Sequence, residues 1–447
     1  MSINNKGYKN EQMSENKKLL IFLSTHLIIW TLIPAISNHN LPLDTIEALA
    51  WGSNLDWGFG KHPPLSAFAA EFFYQIFGSL DWAYYLLSQI FVVSSFYIIY
   101  IFAKDFLKNR NHAIISILLL ESIFFYNFTT PEFNVNVCQL PFWALSIHYA
   151  WKCVENERLK DYALLGLFAG LGILSKYLFV YLIVSLGMFF IYIFFKEKKI
   201  RTGSIVSVTI LLAVLAPHLM WLVENNYITV VYGLKRTGNT IGALNNVINP
   251  LIFLAKQIGI LALFLLMLGL LVKKLKNKIN FKDRKLIFLI FVTIVPIALM
   301  FLTSLIMGAK IRTMWMTPFY LSSGVLAVYI FKNTIDLKKL RIFYFLFGFI
   351  FLISPAIYLY ISLSQDNKRT DYPGKAIAKE IENRIGKESS LVSGDEWHAG
   401  NLSYHLSSRP KWVGYKKSFS GGICFPEFPP KNLGAGTPQK TEICLDR

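Results

Sequence analysis

The sequence predicts an α-helical protein that crosses a membrane about eleven times and carries a small α/β domain at its carboxyl end. Of its 447 residues, 54% are hydrophobic and only 16% are charged, a balance too apolar for an ordinary soluble chain. The apolar residues come in blocks of about 18 to 22, the length with which a helix crosses roughly 30 Å of hydrocarbon. After Asp366 the pattern becomes mixed and soluble. The alternating short strands of a membrane barrel are not seen.

Eleven apolar blocks predict the spans, and together they make a membrane domain over residues 1–363. The predicted spans cover residues 19–37, 82–102, 113–128, 137–151, 162–174, 178–195, 204–222, 251–272, 286–306, 314–331 and 342–363. Residues 364–447 form the predicted soluble domain.

The net charge of +18 is concentrated in short loops. Six basic clusters, among them "KDFLKNR", "KEKKIR" and "KKLKNKINFKDRK", fall on the same side of the predicted spans, and the positive-inside rule places that side in the cytoplasm. We therefore expect a protein of the bacterial inner membrane with a cytoplasmic amino terminus, an uncleaved signal anchor as its first span, and a periplasmic carboxyl domain. No basic surface with interleaved aromatic residues is left over, which disfavours nucleic acid as a partner.

The first outer loop, "LPLDTIEALAWGSNLDWGFGKHPPL", carries an unusual set of polar residues. Asp44 and Glu47 lie on one face of a predicted short interfacial helix over 44–52, which is expected to lie along the bilayer surface. A glycine-rich turn brings Lys61 and His62 back toward them. A second short helix, over 64–77, is amphipathic and is expected to lie in the membrane interface. Two acids and a lysine suit a reaction that needs a base for an acceptor hydroxyl and a cation for a phosphate leaving group. The alternative is that the acids are solvated at a helix amino terminus and that Lys61 extends to water.

Further polar residues lie at the predicted outer ends of other spans. In "TPEFNVN", Glu132, Asn134 and Asn136 could contact a sugar or a metal, or could cap a helix. Lys176 occupies a turn between two apolar runs, where a lysine can extend to water or serve a functional site. His218, with Glu224 nearby, could bind a divalent cation or be a buried structural residue.

Arg236 and Arg312 are cations on the predicted outer side, where the positive-inside trend disfavours them. Because a guanidinium can grip two phosphate oxygens, both are predicted to bind the phosphate of an anionic ligand. The alternative is contact with lipid headgroups.

The motifs "LDTIEALAWG" and "GFGKHPPLSAF" resemble the first periplasmic loop of the family 39-type, GT-C fold glycosyltransferases. That group contains bacterial aminoarabinose transferases for lipid A and protein O-mannosyltransferases, which use sugars carried on a polyprenyl phosphate. The resemblance implies that Asp44 deprotonates the acceptor, that Lys61 contacts the donor phosphate, and that the segment around Lys176 lines the donor cavity. Many members place a second acid directly beside the first. Here Glu47 follows three positions later, so metal binding, hydroxyl positioning or a structural role stays open for it.

The resemblance implies a membrane glycosyltransferase that uses a polyprenyl-phosphate sugar donor and a lipid or glycan acceptor in the envelope, such as lipid A. A transporter or lipid flippase is the alternative, and it predicts charged or broken segments in the middle of several spans. The sequence assigns no cofactor and leaves open whether a divalent metal cation takes part.

The carboxyl domain is predicted to hold a helix in "PGKAIAKEIENRIG", a strand in "SSLVSG" and a second helix in "GNLSYHL". The segment "GDEWHAGN" between them contains an acid and a histidine that could act on the acceptor or serve the loop structure. Cys424 and Cys444 could form a disulfide in an oxidising compartment. Cys138 and Cys153, about 22 Å apart at the ends of one predicted helix, cannot pair with each other.

Overall fold

The computed structural model of the protein describes residues 2–198, 201–237, 244–274, 279–414, 419, 422–428 and 441–446. Most of these residues are helical. The α-helices are α1 (Ser2–Ser37), α2 (Leu43–Gly52), α3 (Leu65–Phe77), α4 (Asp81–Phe106), α5 (Arg110–Leu118), α6 (Val135–Cys138), α7 (Leu140–Asn156), α8 (Leu159–Ser175), α9 (Val180–Glu197), α10 (Gly203–Glu224), α11 (Ile228–Thr237), α12 (Asn245–Leu271), α13 (Arg284–Met307), α14 (Ser323–Phe331), α15 (Leu340–Ser364), α16 (Gly374–Ile385) and α17 (His398–His405). Short 3-10 helices cover Leu119–Ser122, Phe124–Tyr126, Tyr177–Phe179, Thr313–Tyr320, Leu337–Lys339 and Arg369–Asp371.

Seven helices in the described residues are long and apolar enough to cross a membrane, and an eighth span results if Thr313–Tyr320 and Ser323–Phe331, bent by 52°, are taken as one. The seven are Asn16–Ser37, Asp81–Phe106, Tyr177–Glu197, Gly203–Glu224, Asn245–Leu271, Arg284–Met307 and Leu337–Ser364. All eight correspond to predicted spans.

The remaining three predicted spans correspond to shorter helical segments of the described residues. The predicted span 113–128 breaks after Leu118 into 3-10 turns, and there the buried Glu121 contacts His26 at 3.1 Å. The spans predicted at 137–151 and 162–174 correspond to α7 and α8, which have 17 residues each. Such a helix is about 25 Å long, at the lower limit for crossing roughly 30 Å of hydrocarbon.

The two predicted short helices are α2 and α3. α3 exposes Phe72 and Ile76, as an interfacial helix should. α2 differs from the expectation of a helix lying open along the bilayer, because residues 45–52 are buried. They are covered in part by α17 of the carboxyl domain, where Gly400 lies so close that an added Cβ would come within 3.1 Å of Ala50 Cβ.

The carboxyl domain has the α/β composition that the sequence predicts. Strands β1 (Leu391–Ser393), β2 (Lys411–Trp412), β3 (Ile423–Phe428) and β4 (Thr441–Leu445) form one sheet in the order β2-β1-β4-β3. β1 and β2 are parallel, and the other pairs are antiparallel. Cys424 and Cys444 face each other across β3 and β4 and form a disulfide, whereas Cys138 and Cys153 are free and buried.

Polar contacts fasten the carboxyl domain to the helices of the first outer loop. Arg409 donates hydrogen bonds to the Leu49 carbonyl at 2.8 Å and to Glu71 Oε2 at 2.7 Å. The Tyr404 hydroxyl donates to Asp81 Oδ1 at 2.8 Å. Because these contacts involve α2, α3 and α4, the carboxyl domain helps to hold α2 in place.

Candidate functional site

A cavity of about 380 Å³ lies beside α2, between the turn after that helix and α9, α11 and α13. Its wall contains eight of the eleven site residues predicted from the sequence. These are Asp44, Glu47, Lys61, His62, Asn136, Lys176, Arg236 and Arg312. The rest of the wall includes apolar side chains, among them Leu178, Val180, Met307 and Met314. The cavity thus combines a cluster of charges with an apolar side.

Asp44 stands in the first turn of α2 and lines the cavity. Within the described part of the chain, its half-buried carboxylate makes no hydrogen bond or ion pair. Burial raises the pKa of Asp44, and the positive charges of Lys176 and Lys61 oppose that rise. An acid of this kind can accept a proton from a hydroxyl group held in the cavity.

Glu132 lies outside the cavity wall and supports α2. Its Oε1 accepts a hydrogen bond from the backbone N–H of Asp44 at 2.9 Å. Pro42, the residue at the amino-terminal cap of α2, offers no side-chain cap, so Glu132 satisfies one of the free N–H groups of the first turn. Burial raises the pKa of Glu132, and the neighbouring Asp44 carboxylate raises it further.

Lys61 lies between two carboxylates. Its Nζ is 2.8 Å from Glu47 Oε1 and 3.4 Å from Glu396 Oε1. Burial lowers the pKa of Lys61, but Glu47 and Glu396 more than offset this, and the net shift is upward. Burial raises the pKa of Glu47 to about 7, although Lys61 opposes the shift. Lys61 is therefore a half-buried, charged amine at the cavity wall.

The turn that carries Lys61 is held in place by α10 and α11. His218 donates from Nδ1 to the Trp57 carbonyl at 2.6 Å and accepts at Nε2 from the Tyr177 hydroxyl at 2.7 Å. The Thr229 hydroxyl donates to the Phe59 carbonyl at 2.6 Å. Both ring nitrogens of His218 therefore have protein partners, and this histidine lies outside the cavity wall.

The turn also depends on a glycine. A Cβ added at Gly58 would come within 2.3 Å of the Trp221 ring, a distance far below van der Waals contact. Only a residue without a side chain lets the turn approach α10 this closely.

Lys176 is buried, with only 6% of its surface exposed, and it does not extend to water. Its Nζ donates a hydrogen bond to Asn136 Oδ1 and lies 5.6 Å from the centre of the Trp315 ring. Burial lowers the pKa of Lys176 to about 7, although the Asp44 charge opposes the shift. Asn134 has a different role: its Oδ1 caps α6 by accepting from the N–H groups of Asn136 and Val137.

Arg236 and Arg312 line the cavity with exposed side chains. No carboxylate of the described residues lies within ion-pair distance of either guanidinium. Arg236 lies 5.9 Å from the centre of the Tyr232 ring, which also lines the cavity. Both arginines are thus available to an anionic ligand.

His62 packs edge-on against Trp51 and Tyr232, with ring centres 5.9 and 6.3 Å away. Burial lowers the pKa of His62 to about 3, and the charges of Lys176 and Lys61 contribute to the shift. A neutral imidazole in the cavity wall can donate one hydrogen bond and accept another, which suits a sugar hydroxyl.

The described residues do not offer a set of metal ligands at the cavity. Among them, the group of three His, Cys, Asp or Glu side chains close enough to share an ion is Cys424, Glu442 and Cys444, and its two cysteines are joined in the disulfide. At the cavity, Glu47 is paired with Lys61.

The structure also brings residues to the site that the sequence analysis did not select. Glu396 reaches Lys61 from the carboxyl domain, and Trp315, Tyr181 and Tyr232 line the cavity. In the sequence, the polar segment "GDEWHAGN" was the feature that could have pointed to Glu396. Within that segment Asp395 and His398 have a structural role. Asp395 caps α17 and contacts His398 Nδ1 at 2.8 Å.

Comparisons with known proteins agree with this architecture. Residues 61–221 match the family described as dolichyl-phosphate-mannose-protein mannosyltransferase. Over 207 residues the chain is 21% identical to the lipopolysaccharide core galacturonosyltransferase RgtA of Rhizobium johnstonii, a match that covers 46% of this chain and 42% of RgtA. The chain thus spans less than half the length of this curated relative.

The fold is similar to that of ArnT from Cupriavidus metallidurans, whose crystal structure was determined with undecaprenyl phosphate bound. The TM-score is 0.65 at 13% sequence identity, over 90% of this chain and 86% of ArnT. The sequence motifs resemble those of family 39-type, GT-C fold glycosyltransferases, and these matches confirm that resemblance.

Proposed function

We propose that this chain, a GT-C fold membrane protein, is a glycosyltransferase that moves a sugar from a polyprenyl-phosphate donor to an acceptor in the bacterial envelope. The observation that carries the proposal is the composition of the cavity wall. The half-buried carboxylate of Asp44, which has no hydrogen-bond or ion-pair partner among the described residues, shares the wall with four cations and an apolar side. A lipid-linked sugar phosphate has the complementary chemistry.

The reaction needs a base and stabilisation of the leaving group. The Asp44 carboxylate takes the proton from the acceptor hydroxyl as that oxygen forms a bond to the anomeric carbon. The bond between the anomeric carbon and the phosphate oxygen breaks, and the lipid phosphate leaves with the electron pair. Asp44 then returns its proton to water. Attack opposite the leaving group inverts the anomeric centre, which the family resemblance implies.

The cations bind and stabilise the phosphate. Lys61, Lys176, Arg236 and Arg312 meet at the cavity from four separate segments, and charge-assisted hydrogen bonds to phosphate oxygens are strong. Because phosphate is a fair leaving group, positioning and electrostatic stabilisation contribute more than acid catalysis. His62 and Asn136 are positioned for sugar hydroxyl groups, while Glu132, Asn134 and His218 hold the elements that carry the site.

The nature of the donor and acceptor is supported by the relatives. ArnT was crystallised with undecaprenyl phosphate, which matches the charge and the apolar side of the cavity here. RgtA is named as a transferase for the lipopolysaccharide core. We therefore propose an undecaprenyl-phosphate sugar as the donor, and lipid A or another envelope lipid or glycan as the acceptor. The proposed location is the inner membrane, with the amino terminus in the cytoplasm and the site facing the periplasm.

The test is a transfer assay on the purified full chain in liposomes, with a panel of undecaprenyl-phosphate sugars and envelope acceptors. We expect sugar transfer by the wild type, loss of roughly 10²- to 10⁴-fold in Asp44→Asn, and full activity in the matched control Asp56→Asn. Asp56 lies in the same loop, and its carboxylate accepts a hydrogen bond from the neighbouring Trp57 N–H. Unchanged transfer in Asp44→Asn contradicts the role of Asp44. Movement of the lipid across the bilayer without transfer favours a flippase instead.

A further inference from the structure

The carboxyl domain contributes a charge directly to the phosphate-binding lysine. Glu396 Oε1 lies 3.4 Å from Lys61 Nζ, and the side chains are 18% and 26% exposed. Glu396 is 335 residues away in the sequence (396 minus 61) and belongs to a different domain. The contact is therefore a product of how that domain docks on the membrane helices.

Hydrogen bonds within its turn and the packing of α17 fix the position of Glu396. It lies in the turn between β1 and α17, where Asp395 Oδ1 accepts hydrogen bonds from the N–H groups of Trp397 and His398, each at 2.9 Å. α17 then packs against α2, with Gly400 next to Ile46. Since α2 also carries Asp44 and Glu47, the turn with Glu396 and the acids of the cavity are held on one packed unit.

The two carboxylates on Lys61 differ in geometry. Glu47 accepts a hydrogen bond from Lys61 at 2.8 Å and lines the cavity. Glu396 is farther from the amine, at 3.4 Å, and is not part of the cavity wall. Glu47 is thus the closer partner and accepts a hydrogen bond from the amine, whereas Glu396 adds a negative charge beside it.

We propose that Glu396 is a positioning residue that weakens the grip of Lys61 on the lipid phosphate, so that the site releases its lipid-phosphate product. The inference rests on the proposed function, because it takes the lipid phosphate to be the ligand of Lys61. A phosphate that enters the cavity must compete with both carboxylates for the same amine. Removing that charge leaves the amine held by Glu47 and makes it more available to phosphate.

The experiment measures binding of undecaprenyl phosphate, without sugar, to the whole 447-residue chain in nanodiscs made of a zwitterionic lipid. We expect Glu396→Gln to bind roughly 3- to 10-fold tighter than the wild type, as befits a partly exposed ion pair. Glu396→Asp keeps the charge and should bind nearly as the wild type does. The matched control is Glu388→Gln, which removes an exposed charge from the same domain and should leave binding unchanged.

The role of Lys61 is tested in a second background. In Lys61→Met, the substitution Glu396→Gln should give no further gain, because the lysine through which it acts is absent. In the wild-type background the gain should shrink at high salt. A misfolded or merely loosened protein would lose affinity, so a gain of affinity separates this role from a structural one.

The possible failures are distinguishable. Unchanged or weaker binding in Glu396→Gln, or an equal gain in the Lys61→Met background, overturns the inference and leaves the proposed function intact. A wild type that does not bind undecaprenyl phosphate overturns both. Tighter binding in Glu396→Gln by a protein that transfers no sugar supports the inference and contradicts only the transferase activity.

Discussion

The backbone N–H of Asp44 donates a hydrogen bond to Glu132 Oε1 at 2.9 Å, so that one carboxylate fixes the helix turn that carries another. The two residues are 88 positions apart in the chain. Glu132 therefore acts on the candidate base through the backbone of α2. This contact gives Glu132 a structural role although its side chain does not line the cavity.

Substitutions of Glu132 should separate capping from substrate contact. Glu132→Gln keeps the side-chain oxygen that accepts from Asp44, so we expect nearly wild-type stability and transfer. Glu132→Ala removes the acceptor and should cost about 1 kcal/mol of stability, together with a lower kcat because Asp44 is less well held. Thermal unfolding and transfer kinetics of the two variants test this. Equal loss of activity in both variants would instead indicate that the negative charge of Glu132 is needed.

The rate should depend on pH through Asp44. Since the base must be ionised, activity should fall as the pH drops through the pKa of Asp44. Burial raises that pKa above the usual value of 3.8, so the acidic decline should begin at a higher pH than for an exposed aspartate. A profile of kcat/KM from pH 4 to 9 measures this. A rate that stays constant down to pH 4 would contradict the assignment of Asp44 as the base.

The affinity for lipid phosphate should also depend on pH, through Lys176 and in the opposite direction. Its pKa is lowered to about 7 by burial, so the empty site loses this positive charge as the pH rises above 7. The affinity of the free enzyme for the lipid phosphate should then decrease from pH 7 to 9. In Lys176→Met binding should be weaker at pH 6, and this part of the pH dependence should be absent. Titration of binding at several pH values compares the two proteins, and identical profiles would contradict the prediction.

The two cavity arginines should contribute strongly to donor affinity. Arg236→Gln and Arg312→Gln each remove a cation that has no carboxylate partner among the described residues, and each should cost about 1.5 to 3 kcal/mol of binding, or roughly 10- to 100-fold. Lys235→Gln is the matched control, since Lys235 is the exposed neighbour of Arg236 and does not line the cavity. If the lysine variant weakens donor binding as much as the arginine variants, general attraction to anionic lipid explains the effect.

His218 should act on the site through the turn that carries Lys61. His218→Phe removes the hydrogen bonds to the Trp57 carbonyl and the Tyr177 hydroxyl, so we expect a lower melting temperature and a several-fold weaker affinity for lipid phosphate. Treatment of the wild type with a chelator should leave activity unchanged, because both ring nitrogens have protein partners. Loss of activity on chelation, restored by a divalent cation, would favour metal binding instead.

Local features of the sequence determined the class of the protein and much of its secondary structure. The long apolar blocks predicted eight segments that are membrane-length helices in the structure or a bent pair, because burial of apolar surface in lipid depends mainly on composition and length. The helices and the strand predicted around residues 373–406 are also present. Polar residues are conspicuous in such an apolar chain, and Asp44, Lys61, Lys176, Arg236 and Arg312 could be selected for that reason.

Only the tertiary structure decided which polar residues share the cavity and which support it. A supporting residue and a cavity residue have the same chemistry in the sequence, and Glu132 and His218 differ from Asp44 and Lys176 in their long-range contacts. Glu396 was missed for the same reason, since its partner lies in another domain. Directional contacts between distant segments form only when the chain has folded, and composition alone cannot specify them.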